Sequence, residues 1–239
     1  MVMPGGDRTR DARRYAARTS QLGKSAVRSG NLFGPHPPPT AILIVGLSMF
    51  ESLLETIAGG LNLSAEQSDF IKSLWTPRQF RKGRFFQRAG EVTTHGGFVV
   101  RGCFRTYAVE ASGIESIIHF SAERTFIGDI TSAVTGQPTL YAVDAIEPST
   151  TLTIDLASFN RILERFPDIA RGYRLGLQRS QGAQQRRIAM SLSASAEERY
   201  ADFLARQPVL AARVPQRMLA SYLGIAPETL SRIRRTTRQ

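Results

Sequence analysis

Three polar side chains near the carboxyl end, Glu228, Ser231 and Arg232, have the types and the spacing needed to bind the edges of DNA bases. A guanidinium can donate two parallel hydrogen bonds to guanine, a carboxylate can accept one from the amino group of cytosine, and a hydroxyl can do either. Residues three or four positions apart share one face of a helix, so these side chains would point the same way. The pattern therefore predicts a base-contacting surface.

The segment that holds these residues, RMLASYLGIAPETLSRIRR from Arg217 to Arg235, is typical of a helix-turn-helix. The small Ala220 lets two helices approach, Gly224 permits a turn with positive φ, and Pro227 suits the first turn of a second helix. That second helix, over 227–235, is predicted to enter the major groove. The residues expected to hold the two helices together are Leu219, Ala220, Leu223, Ile225, Leu230 and Ile233.

Four more side chains are predicted to contact DNA phosphates, which set the register of a protein on the duplex without reading its sequence. They are Thr229, Arg217, Ser221 and Arg234. The whole chain of 239 residues carries a formal net charge of +11, which favours a polyanionic partner. The other interpretation of the terminal segment is a helical hairpin with a solvated charged face.

Two further regions must position this hairpin. Between Phe80 and Ile154, short β-rich runs alternate with glycines, and this pattern indicates a small barrel or rolled sandwich. The next region, from Asp168 to about Leu192, reads as a long polar helix with few apolar residues, which needs a partner surface to be stable. That partner is either the chain's own barrel or, as we favour, the same helix of a second subunit. The fold class is therefore α+β: a β-roll with flanking helices over 49–166, a dimer helix over 167–192 and a helix-turn-helix domain over 193–239.

The amino-terminal residues 1–48 are predicted to be a disordered, arginine-rich extension. It could be an organelle transit peptide, a basic arm or, as we favour, an extension upstream of a true start at Met49. The apolar run Ala41 to Leu47 is too short to cross a bilayer, which needs roughly 20 such residues. The single cysteine, Cys103, excludes an intramolecular disulfide and four-cysteine metal sites, and it fits a cytoplasmic protein.

From Leu63 to Arg235 the chain resembles the Crp/Fnr superfamily of bacterial transcription regulators. The residues that carry the resemblance are ERYADFLARQPVL from Glu198, VPQRMLASYLGIAPETLSRIRR from Val214 and, more weakly, KGRFFQRAGE and GGFVVRGCFRTY. The resemblance implies a cyclic-nucleotide-binding-like β-roll, a homodimer, double-stranded DNA and RNA polymerase as partners, and no enzymatic activity. It also places Glu228, Thr229, Ser231 and Arg232 at the DNA.

The sequence departs from this family in its phosphate-binding cassette. In FIGDITSAVTGQPTLYA, Pro138 is followed by threonine where the members that bind cyclic AMP have an arginine. A phosphate without that charge is costly to bury, so cyclic AMP is not expected to be the effector. An unknown small molecule would contact Gly128, Asp129, Ile130, Thr139 and Tyr141. Only four residues follow Arg235, so the wing is expected to be short or absent.

Two other functions compete with DNA binding. A cupin-like barrel enzyme would need clustered histidines, but His36, His95 and His119 are not at metal-ligand spacing. An iron–sulfur cluster is excluded, and haem would have to use His95, His119 or Cys103, so no cofactor is expected. The other competing function is that of an effector-binding module that no longer controls DNA.

Overall fold

The computed structural model describes residues 39–236. The helices are α1 (Pro39–Ala58), α2 (Ala65–Leu74), α3 (Ile130–Thr135), α4 (Leu156–Arg165), α5 (Pro167–Ser193), α6 (Ala196–Arg206), α7 (Pro208–Arg213), α8 (Gln216–Leu223) and α9 (Pro227–Thr236). The strands are β1 (Thr76–Phe80), β2 (Phe85–Gln87), β3 (His95–Arg101), β4 (Phe104–Val109), β5 (Glu115–Ser121), β6 (Phe126–Ile127), β7 (Ala142–Ala145) and β8 (Ser149–Asp155).

The strands form two four-stranded antiparallel sheets that face each other as a roll. The strand order is β1-β8-β3-β6 in the first sheet and β2-β7-β4-β5 in the second, so β5 is an edge strand. The space between the sheets is filled by apolar side chains that include Phe80, Phe86 and Phe104. Gly97 makes this packing possible, because a Cβ there would lie 2.8 Å from both the Phe86 ring and Ile127. The predicted α+β fold with a β-roll is confirmed.

Helices α1, α2 and α4 and the start of α5 cover the outer face of the first sheet. Their buried residues, among them Leu53, Ile71 and Ile162, pack on Phe98 and Leu152 of that sheet. Helix α2 begins with a capping box: the Ser64 hydroxyl accepts from the Gln67 N–H at 3.2 Å, and the Gln67 side chain accepts from the Ser64 N–H at 2.8 Å. This layer fixes the position from which α5 leaves the roll.

The long helix was predicted over Asp168 to about Leu192 and runs over Pro167–Ser193, with the proline in its first turn. Its first turns pack on the roll through the buried Ile169 and Ala170. No residue from Arg171 to Ser193, all within the described part of the chain, is buried. Ile188 and Leu192 are 56% and 84% exposed. The chain's own roll therefore covers only the beginning of this helix.

Helices α6 to α9 form a compact terminal unit that packs on the outer face of the second sheet. One continuous core joins Tyr107, Ile117 and Phe120 of that sheet to Phe203 and Leu219 of the terminal unit. The amino-terminal part of the chain differs from the prediction. Residues 1–38 of the predicted disordered extension lie outside the described residues, but 39–48 belong to α1. The reason is local: a proline begins this helix, where its missing N–H costs nothing, and the run AILIVGL that follows holds no further proline.

Candidate nucleic-acid interface

The turn between α8 and α9 has the geometry that the sequence predicts. Gly224 ends α8 in the left-handed region, with φ 64° and ψ 41°. The N–H groups of Gly224 and Ile225 both donate to carbonyls of α8, and the Ile225 N–H donates to the Ala220 carbonyl at 3.0 Å. A residue with a Cβ is strained in this conformation, which is why a glycine stands at this position.

Behind this turn, the residues predicted to hold the two helices together are packed as expected. Leu219, Ala220 and Leu230 are at most 1% exposed. Leu223 and Ile233 are also buried, and the half-buried Ile225 packs against the same core. The close approach of α8 and α9 is thus fixed by a small residue between them and by apolar side chains around it.

The outer face of α9 presents the residues predicted to contact bases. Glu228 and Arg232 are exposed, and Ser231 is half-buried. No residue in the described range 39–236 forms a hydrogen bond or an ion pair with the side chain of Glu228 or Arg232. Two charged groups on α9 are therefore available to a ligand.

The residues predicted to contact phosphates differ in their surroundings. Arg217 is exposed, and Thr229 and Arg234 are half-buried at the margin of the same face. Ser221 is engaged elsewhere, because its hydroxyl accepts from the Ile117 N–H at 3.1 Å and donates to the Glu115 carbonyl at 3.0 Å. In this conformation Ser221 faces the roll, so its predicted phosphate contact is not available.

Sequence reasoning missed a cluster of charges that joins the terminal unit to the roll. The Arg213 guanidinium at the end of α7 donates to Glu123 at 2.7 and 2.9 Å and also to Glu147. Glu123 accepts in addition from the Gly102 N–H at 2.8 Å. Burial would raise the pKa of Glu123, but the hydrogen bonds from Arg213 and Gly102 outweigh it and leave that pKa below its usual 4.5. The partners are 66 and 90 residues apart in the chain, so no local pattern could have indicated them.

Hydrogen bonds join several residues of the predicted effector pocket to one another. Asp129 caps α3 by accepting from the Ser132 N–H at 3.1 Å, and its other oxygen accepts from the Thr139 hydroxyl at 2.6 Å. That hydroxyl also accepts from the Tyr141 N–H at 3.1 Å. Of the remaining predicted residues, Ile130 is 46% exposed and Gly128 is exposed with a φ of 128°. Both carboxylate oxygens of Asp129 are thus occupied within the protein.

Within residues 39–236, no helix is long and apolar enough to span a membrane. The same part of the chain holds no group of three or more histidine, cysteine, aspartate and glutamate side chains that could bind a metal ion.

Comparisons with known proteins agree with this architecture. Residues 77–166 match the model of the cyclic nucleotide-binding domain. The fold is similar to that of FixK2 from Bradyrhizobium japonicum, with a TM-score of 0.62, 21% identity and coverage of 69% of this chain and 84% of that one. It is also similar to the c-di-GMP-responsive global regulator CLP of Xanthomonas campestris, with a TM-score of 0.60, 14% identity and coverage of 73% and 92%.

A further structure with this fold is a regulator assigned to the crp/fnr family from Eubacterium rectale, with a TM-score of 0.55, 18% identity and coverage of 74% and 84%. None of the curated proteins compared with the sequence is significantly similar to it. The chain thus shares the fold of these three proteins.

Proposed function

We propose that this chain, which has the fold of the Crp/Fnr-type regulators, is a sequence-specific DNA-binding regulator of transcription. The observation that carries the proposal is the outer face of α9, where Glu228 and Arg232 are exposed without a described partner. The turn at Gly224 holds this helix against α8 as a helix-turn-helix requires. Base reading is assigned to Glu228, Ser231 and Arg232, and phosphate contacts to Arg217, Thr229 and Arg234.

The test is a selection of duplexes from a random library, followed by affinity measurements on the selected site. Replacing Glu228 and Arg232 by alanine should remove about 1–3 kcal/mol of discrimination for each lost base contact. The control replaces Glu164 and Arg101 by alanine, which removes the same two charges from α4 and β3. Recovery of no preferred site, or equal discrimination by the two double variants, contradicts the proposal.

Phosphate contacts have a separate signature. Replacing Arg217 by alanine should weaken binding to all duplexes similarly and make the slope of log affinity against log salt less negative by about 0.9. An unchanged slope would remove Arg217 from the interface and leave the base contacts untouched.

The active form is proposed to be a homodimer that joins two copies of α5. Most of α5 lacks cover from the chain's own roll, and Leu177, Ile188 and Leu192 recur along one side of it. Two recognition helices related by a two-fold axis would then read inverted half-sites about 34 Å apart. Sedimentation equilibrium tests this: Ile188→Asp with Leu192→Asp should yield monomers, whereas Ala183→Asp, on the other side of the helix, should not. A dimer that survives the first pair of changes contradicts the assignment of α5.

The effector is proposed not to be cyclic AMP. Thr139 stands where a phosphate-binding arginine would be needed, and Asp129 is bonded to Ser132 and Thr139. Titration calorimetry with cyclic AMP should give no binding at millimolar concentration, and micromolar binding would overturn this part of the proposal. RNA polymerase as a partner and a cytoplasmic location belong to the same proposal and follow from a role in transcription.

A further inference from the structure

The segment that joins β1 to β2 carries a concentration of positive charge. Between Thr76 and Arg88 the chain has five cations and no acidic residue. All five side chains are exposed, and none of them forms an ion pair with a carboxylate in residues 39–236. We call this surface the basic turn, and its cations are Arg78, Arg81, Lys82, Arg84 and Arg88.

Backbone hydrogen bonds hold the basic turn at a fixed place on the roll. The N–H of Gly83, which has a φ of 77°, donates to the Ala145 carbonyl at 2.7 Å, and the Ala145 N–H donates to the Arg84 carbonyl at 3.0 Å. The Arg88 guanidinium is positioned by the Phe85 ring, whose centroid lies 4.0 Å away. Less side-chain entropy is lost when a cation that is already held in place binds an anion.

The basic turn lies at the same end of the roll as the start of α8. Ala145, to which the turn is bonded, is two residues before Glu147, and Glu147 accepts from Arg213 at the end of α7. Helix α8 begins three residues after Arg213, at Gln216. The exposed Arg217, in the first turn of α8, is the phosphate contact assigned above. A duplex that binds Arg217 therefore passes the end of the roll that carries the basic turn.

The position of β2 in its sheet puts the basic turn on the side away from α5. The strand order is β2-β7-β4-β5, so β2 lies three strand spacings, about 14 Å, from β5. Helix α5 lies on the β5 side, because its Arg187 contacts Tyr222, whose ring packs on Phe120 of β5 at 5.3 Å between centroids. With α5 beside the two-fold axis of the proposed dimer, the two basic turns lie on the outer sides.

We propose that the basic turn binds phosphates of the DNA that flanks the inverted repeat, outside the half-sites read by α9. This inference rests on the proposed function. A duplex carries one negative charge per about 1.7 Å of its axis, so the ligand that meets α9 also presents closely spaced phosphates to this end of the roll. Phosphate contacts carry no sequence information, so the basic turn strengthens binding and lengthens the bound site, while its sequence preference is left to α9.

The test compares two duplexes that both carry the selected site. The core duplex ends with the half-sites, and the extended duplex has about one further helical turn, roughly ten base pairs, on each side. The native protein should bind the extended duplex at least about tenfold more tightly in dilute salt. Its slope of log affinity against log salt should also be more negative on the extended duplex, by about 0.9 for each flanking phosphate bound.

The variant Arg81→Gln with Lys82→Gln and Arg84→Gln removes three charges of the basic turn and keeps its glycine and its backbone hydrogen bonds. This triple variant should bind the core duplex like the native protein. On the extended duplex it should lose most of the additional affinity and most of the additional salt dependence, because the flanking phosphates then meet neutral side chains.

The control removes three positive charges from the helices that cover the first sheet, by Lys72→Gln, Arg161→Gln and Arg165→Gln. These residues lie on α2 and α4, and the net charge of the protein falls by the same amount as in the first triple variant. The control should bind the extended duplex more tightly than the core duplex, as the native protein does. An equal loss in the two triple variants would mean that overall charge governs the length dependence, and it would overturn the inference.

The outcomes separate this inference from the proposed function. Sequence-specific binding of the core duplex tests the proposed function by itself, and its absence overturns both. If the core duplex is bound but the native protein binds the extended duplex no more tightly, the flank contact is overturned and the proposed function stands. The same holds if the first triple variant binds the extended duplex like the native protein; a failure of that variant to recruit RNA polymerase would then assign the basic turn to an acidic protein surface instead.

Discussion

Replacement of Gly224 by alanine isolates the role of the turn between α8 and α9. A Cβ at this position would lie 3.8 Å from the nearest atom, an Arg199 nitrogen, which is an ordinary van der Waals distance. Steric overlap therefore does not destabilise the variant. The expected loss of folding stability is that of placing a side chain on a left-handed backbone, about 1–2 kcal/mol. For a chain of this size, the midpoint of thermal unfolding should fall by about 2–8 °C.

The roll offers a matched control at Gly136, which ends α3 with φ 67° and has no atom within 4 Å of the added Cβ. Gly136→Ala should cost the same stability, but only Gly224→Ala should weaken binding to the selected duplex, because only that turn sets the angle between α8 and α9. Gly224→Asn should recover part of the loss, since asparagine tolerates the left-handed region better. Equal DNA affinities for the two alanine variants, or native stability of Gly224→Ala, would refute this account of the turn.

Three further predictions concern the roll. Gly97→Ala should lower the free energy of unfolding by about 1–3 kcal/mol, because the added Cβ overpacks the space between the sheets. Gly96→Ala should lower it much less, because the nearest atoms would lie 4.0 Å from its Cβ. Urea titration of both variants measures the difference. Burial raises the pKa of Cys103 to about 12, so its neutral thiol should resist alkylation near neutral pH until the protein unfolds, and rapid labelling of the folded protein would contradict this. The pKa of Glu123 is lowered in the folded state, so its ion pair with Arg213 stabilises the folded protein fully above pH 4.5, and this stabilisation is lost as the pH falls through the lowered pKa. The difference in the free energy of unfolding between the native protein and Glu123→Gln should therefore shrink in acid. A difference that stays constant with pH would show that the pair contributes nothing.

The parts of the fold that follow from local rules could be predicted from the sequence. Gly224 and Pro227 mark the turn, Leu230 and Ile233 recur at helical spacing, and Ser64 with Gln67 marks the start of a helix. Each of these signals depends on residues only a few positions apart, so the sequence alone indicates it. The exposure of Glu228 and Arg232 follows from the same helical period.

The relation between the terminal unit and the roll could not be predicted in this way. Ser221 was predicted to contact a phosphate, yet its hydroxyl is bonded to a strand more than 100 residues earlier in the chain. Arg213 lies in an apolar segment without a nearby acidic residue, and its partners become visible only in three dimensions. The hydrogen bond from Thr139 to Asp129 likewise joins residues ten positions apart, which no local pattern indicates.

The edge position of β5 has a consequence for fragments of this protein. An uncovered edge strand offers its free N–H and carbonyl groups to any other strand, and pairing between molecules is a common route to aggregation. In the intact chain Ser221 occupies two of those groups, and the terminal unit covers the apolar residues Ile117 and Phe120 beside them. A fragment that ends at Ser193 would retain the roll but expose this strand and its apolar face together. The terminal unit thus acts as an intramolecular chaperone for the roll, and an isolated roll should self-associate through β5.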